Sequence, residues 1–374
     1  MLEYTFELTP RAPIHVGTGE VVTPGEYFIF QEDASKERNV GYLYVCDLGT
    51  IPDKELGDFR DKIVQWIGEN PFTWLLNVSK SRELEKVIKS RAKYRCALQG
   101  ATYEKIKERW GKGSSELAIA TVQRTLTGPY IPGSSIKGAI RTALVYSKLS
   151  PPISFEEIRG RENEEKFLKK SLEWERKVLD PSSDGKISDD LLSALKVSDT
   201  NSVSCITAVV LPKHVGMGKS PQEMQDYREC LLPPNPKKPY QLTFELRIDD
   251  DLLRQRSKQG KLSLEDIRQA CRRFYTDVLT AEIAYWEDGN TEEDRKALEF
   301  CKEMQQEIES DKEIIPIRLG WGCGMNSVSV NIAKTESRQE RQHKDIWRYR
   351  YYPQTRVLLA GKPPGWALLK QKEE

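Results

Sequence analysis

The sequence predicts an α+β fold whose strands and helices follow the ferredoxin-like order βαββαβ, interrupted by long helical insertions. Two strands carry the prediction. Leu2, Tyr4, Phe6 and Leu8 alternate with polar residues, and Leu242, Phe244, Leu246 and Ile248 alternate with Gln241, Thr243, Glu245 and Arg247, the period of a strand buried on one face. Two helical stripes complete it. Ile136, Ile140, Ala143 and Leu144 recur at helix spacing in residues 134–148, as do Leu264, Ile267, Cys271, Phe274, Val278 and Ala281 in residues 263–285, where Ser263 is placed to cap.

The remaining elements fit around that frame. Residues 25–30 and 41–47 read as a hairpin joined by the polar run 31–39. From Lys54 to about Arg109 the pattern is helical, with Phe59, Ile63, Trp66 and Ile67 and then Leu84, Val87 and Ile88 in register. Residues 156–178 are charged and helix-prone, and 180–185 read as a loop. Residues 203–211 form a second-strand candidate, and Pro233, Pro234, Pro236 and Pro239 fill the connection to the next strand. Asp249, Asp250 and Asp251 read as a turn and helix cap. Residues 314–319 and 327–332 flank a glycine-rich loop as closing strands. The expected division is 1–51 for the first strand and hairpin, 52–126 for a helical insertion, and 127–374 for the rest of the core with its C-terminal extension.

Composition leaves the partner class to local charge. The 374 residues are 38% hydrophobic and 31% charged, with 58 Lys and Arg against 57 Asp and Glu and a net charge of +1, so net charge gives no nucleic-acid signal. Segregation does occur at Arg338, Arg341, Lys344, Arg348, Arg350 and Arg356, opposed nearby only by Glu340 and Asp345. Trp347, Tyr349, Tyr351 and Tyr352 interleave with those cations, a mixture that suits single-stranded RNA and equally suits a protein contact. The 7 cysteines are scattered without a Cys-x-x-Cys pair, which argues against zinc. With no apolar run of membrane-span length, a reduced, cytoplasmic protein without membrane contact is expected.

Three motifs carry candidate chemistry. In Gly128-Pro-Tyr-Ile-Pro-Gly-Ser-Ser-Ile-Lys-Gly-Ala-Ile-Arg141 a Pro/Gly turn runs into a helix. Ser134 or Ser135 is placed to cap it, and first-turn N–H groups favour an anion. Lys137 and Arg141 share one face four residues apart; the alternative is an ordinary solvated helix start. A nucleotide P-loop does not fit, because Gly138 follows Lys137 rather than preceding it. Gly320, Gly322 and Gly324 alternate around Trp321 and Cys323 after Arg318, a spacing that lets backbone approach a phosphate or simply makes tight turns. His15 sits in a loop with Gly17 and Gly19, where it either acts as a general base or hydrogen-bonds within the loop.

Together these segments resemble the RAMP superfamily of CRISPR effector proteins. Leu8 to Glu20 is similar to the family's opening strand and His-x-Gly-x-Gly loop, Ile131 to Arg141 to its signature, and Arg318 to Asn326 to its glycine-rich loop, although Cys323 and Met325 depart from the usual residues. Lys196 to Thr200, Tyr352 to Arg356 and Pro364-Gly-Trp366 resemble one branch, the fifth Csm subunit of the type III-A complex. The resemblance implies an RRM-like fold, with room for a second, degenerate RRM-like half. It implies a non-catalytic crRNA-binding subunit that caps the filament near the crRNA 3′ end and assists crRNA maturation in antiviral defence. Its partners would be crRNA, other Csm backbone subunits and cellular nucleases, with no cofactor and no metal. It assigns RNA contacts to His15, Gly17, Gly19, Ser134, Ser135, Lys137, Arg141, Arg318, Gly320, Trp321, Gly322, Gly324 and Arg356. Two alternatives stay open: a metal-independent Cas6-like endoribonuclease using His15, and a structural cap that touches only protein.

Overall fold

The computed structural model describes residues 2–31, 40–69, 74–110, 117–148, 153–154, 191–205, 207–216, 219–236, 239–256, 262–335 and 355–372. It is a mixed α+β structure. A five-stranded sheet runs in the order Leu195–Val197, Leu242–Ile248, Leu2–Pro10, Trp366–Gln371, Ile315–Arg318, every neighbour antiparallel. Register follows the apolar alternation: Phe6 lies opposite Phe244 and Leu8 opposite Leu242. The two phenyl rings stack at 5.5 Å, and a slip of one residue would turn this apolar set to solvent.

Helices Gly133–Lys148 and Leu264–Glu287 bury their stripes in one core with that sheet. Tyr275 Oη ties them by donating to the Ala139 carbonyl at 3.2 Å. The long helix starts with a capping box, Ser263 and Asp266 each satisfying the other's backbone N–H. A further helix, Glu292–Ser310, packs beside it and opens with a second such box from Thr291 and Asp294. The Asp249 turn also forms, its carboxylate accepting from Leu252 N at 3.1 Å at the start of helix Asp250–Arg256.

A second, seven-stranded sheet runs Gly17–Val22, Ile119–Val122, Tyr227–Cys230, Thr207–Val210, Tyr94–Gln99, Val40–Val45, Tyr27–Gln31. The expected hairpin is its far edge. The helices expected from Lys54 onward are Asp53–Leu56, Phe59–Glu69, Trp74–Lys80, Arg82–Arg91 and Gly100–Arg109. They bury Ile63, Leu75, Val78, Leu84, Ile88 and Ile106 in a separate core.

Several expectations change. Strand Tyr94–Gln99 interrupts the helical region and lies inside the second sheet. Among the described residues of 203–211 only Thr207–Val210 is a strand, and it joins the second sheet; the outer neighbour of Leu242–Ile248 is the short Leu195–Val197. Residues 327–332 are not a strand. Gly324, at φ +77°, redirects the chain into helix Met325–Val328 and a 3-10 turn Val330–Ala333. Trp366–Gln371, pairing on both sides, takes the closing place in the first sheet. Residues 32–39, 156–178, 180–185 and the basic-aromatic run 338–352 lie outside the described residues. Among the described residues no helix is long and apolar enough to cross a membrane, and no cluster of three metal-ligating side chains occurs.

Candidate nucleic-acid interface

The signature turn is built against the Lys196 to Thr200 segment. Ile131 N donates to Thr200 Oγ1 at 2.9 Å, and Thr200 N returns a bond to the Ile131 carbonyl at 3.0 Å. At Gly133 a Cβ would stand 2.3 Å from the Val197 carbonyl oxygen, so only glycine allows the approach. Its N–H donates to Asp199 Oδ1 at 2.8 Å. Asp199, from a distant segment, therefore holds the helix N-terminus where Ser134 or Ser135 was expected to cap and a phosphate to sit. Ser134 is exposed; Ser135 is half-buried and its N–H bonds the Pro132 carbonyl at 3.0 Å. Lys137 Nζ donates to the Leu195 carbonyl at 2.7 Å, tying the helix to the sheet edge. Arg141, half-buried, lies one turn further on.

Arg318 and Arg356 turn inward. Both are buried, and both face Glu282 of the long helix, with ion-pair distances of 3.6 and 2.6 Å. Arg318 also donates to the Pro364 carbonyl at 2.9 Å and to Ser327 Oγ at 3.2 Å. The Arg356 guanidinium lies 4.2 Å from the Tyr285 ring centre. The two guanidiniums tie the loop, the helix and the C-terminal strand to one carboxylate, and loss of that anion would leave both charges buried and uncompensated. The structure thus places these two residues, expected as RNA contacts, inside the protein and away from the groove.

The other predicted residues converge. A groove of about 410 Å³ opens where the glycine-rich loop meets the edge of the seven-stranded sheet, lined by His15, Gly17, Gly19, Gly320 and Trp321. Ser134, Ser135, Lys137, Arg141, Gly322 and Gly324 are not among its lining residues. Backbone bonds hold the surrounding segments together: Trp321 N donates to the His15 carbonyl at 2.8 Å, Leu319 N to Gly365 O at 2.8 Å, and Gly365 N to Pro13 O at 3.0 Å. Segments far apart in sequence are thus stitched at one place. Gly320, at φ +83°, brings its backbone so close that a Cβ would lie 2.3 Å from the His15 carbonyl oxygen.

Arg228, Asp226, Thr121 and Glu20 also line the groove and were not singled out from sequence. Asp226 and Arg228 lie at the short strand Tyr227–Cys230, where Tyr227 and Glu229 point inward. A buried Glu breaks the polar–apolar alternation that would have revealed the outward pair. The Arg228 guanidinium lies 3.7 Å from the Trp321 ring centre and pairs with Asp226.

His15 is 3% exposed. Its Nδ1 lies 2.7 Å from the Glu229 carbonyl, which assigns the proton to Nδ1. Nε2 then accepts from Arg228 Nη1 at 3.3 Å. Burial pushes the imidazole pKa below its ordinary 6.5, and the Arg228 charge adds to that, against the pull of the Glu229 carbonyl. The result is a neutral ring whose free lone pair is already engaged. Neither Tyr130 nor Lys137 lines the groove to serve as its partner.

Comparison with known proteins fits this geometry. A curated relative from Streptococcus thermophilus, described as "CRISPR system Cms protein Csm5", is 26% identical over 282 residues, covering 73% of this chain and 70% of the relative. A chain of the solved Csm–crRNA–target RNA ternary complex of a type III-A CRISPR-Cas system superposes with a TM-score of 0.64 at 19% identity, covering 99% of this chain and 100% of that one. The crystal structure of T. onnurineus Csm5 superposes at 0.61 with 20% identity, covering 97% and 99%. The two structures share the fold. A family model for the RAMP superfamily matches residues 7–325, a span that holds the His15 loop, the signature helix and the glycine-rich loop together, and the chain belongs to that superfamily.

Proposed function

We propose that this protein is a Csm5-like subunit of a type III-A CRISPR effector complex that holds crRNA in the groove between His15 and Trp321. The carrying observation is the convergence of the His15 loop and the glycine-rich loop on one opening, tied by the bond from Trp321 N to the His15 carbonyl. On this reading the five-stranded sheet is a ferredoxin-like βαββαβ core. Its strands in chain order are Leu2–Pro10, Leu195–Val197, Leu242–Ile248 and Trp366–Gln371, and Ile315–Arg318 is an added edge. RNA lies along the groove with its backbone against Gly17, Gly19 and Gly320, and a base against the Arg228–Trp321 layer. The subunit caps the filament near the crRNA 3′ end in the cytoplasm and assists maturation by partner nucleases.

The same geometry favours binding over cleavage. A general base needs a free lone pair within reach of the attacking hydroxyl, and His15 Nε2 is engaged by Arg228. The test is to incubate the purified protein with labelled crRNA precursor, with and without EDTA, and follow retention and products in the same samples. Salt-sensitive retention without products is expected. Discrete EDTA-resistant products that vanish in His15→Ala would establish the endoribonuclease instead, and no retention at all would leave a purely structural cap.

A further inference from the structure

Within the RNA-binding reading, on which this step rests, the groove has an unexpected charge pattern. Its one guanidinium, Arg228, spends one Nη on His15 and the other on Asp226. Its Cζ lies over the Trp321 ring, 3.7 Å from the centre, and the side chain is only 15% exposed. Such a guanidinium is a stacking surface rather than a phosphate clamp. Alongside it stand two carboxylates: Asp226, whose side chain is 40% exposed, and the exposed Glu20. Carboxylates repel a phosphate but accept from a base edge. The volume of about 410 Å³ is at the small end of the roughly 300–1,000 Å³ typical of small-molecule sites.

We propose that this groove is a nucleobase pocket selective for guanine: the base stacks on the Arg228–Trp321 layer and its Watson–Crick edge donates to the Asp226 carboxylate. Guanine presents two adjacent donors, N1–H and the N2 amine, so one carboxylate takes both. Adenine and cytosine place a ring acceptor beside their amine, and uracil flanks its single N–H with two carbonyls, each of which faces a carboxylate unfavourably.

The test measures retention of labelled oligouridines that carry one guanosine, adenosine, cytidine or inosine, the substituted position being moved along the oligomer. Wild-type protein is expected to favour guanosine about tenfold over adenosine and cytidine at one position, with inosine between, since it keeps N1–H and lacks the amine. Asp226→Asn is expected to remove the preference for guanosine over the other bases at that position. Equal, salt-sensitive retention of all oligomers would overturn the guanine pocket while leaving RNA binding intact. Retention of none would overturn the RNA-binding reading itself.

Discussion

Glu282 is the carboxylate on which Arg318 and Arg356 close, and all three side chains are buried. Removing the anion strands two cations away from water, so Glu282→Gln is expected to cost about 3–5 kcal/mol of unfolding free energy. Denaturant unfolding checks this, and a midpoint equal to wild type would contradict it. His15 gives a pH signature. Its folded pKa lies below the unfolded 6.5, so the unfolded chain binds the proton first as pH falls. The contribution is complete above pH 6.5 and is lost as pH drops from there through the lowered folded value. Unfolding measured across that window should show a steeper acid loss in wild type than in His15→Gln. Residue identity at His15, Gly320 and Trp321 was legible because each sat in a motif. The inward turn of Arg318 and Arg356 was not, since their partner Glu282 looks in sequence like one more solvated position of a charged helix.

At the scale of elements, the signature helix depends on a residue 66 positions away, Asp199. Asp199→Ala should lower stability by about 1 kcal/mol through the lost cap, and Asp199→Asn should restore most of it; thermal melts of the two variants decide, and equal melting of Asp199→Ala and wild type would refute the cap. Sequence periodicity found the first strand, Leu242–Ile248, and both core helices because each is long and cleanly patterned. It missed Tyr94–Gln99 and misplaced the closing strand for physical reasons. Six residues between helices carry too short an alternation, and Val328, Val330 and Ile332 imitate a strand that Gly324 diverts. Trp366–Gln371 has four successive buried residues, and a strand covered on both faces does not alternate.

At the scale of the whole molecule, the groove exists because two sheets with separate cores meet at the His15 loop. The Ile14–Leu231 bridge joins them there. No local pattern announces that meeting, which explains why Arg228 and Asp226 escaped a reading of the chain while His15 and Trp321 did not. On the proposed reading RNA lies in this groove. The most direct measurement is the affinity of wild type and Trp321→Ala for one labelled crRNA across a salt series. Loss of a stacking surface predicts binding weaker by about 1–3 kcal/mol with the salt slope preserved. Equal affinity of the two folded proteins would place the RNA elsewhere and contradict the account.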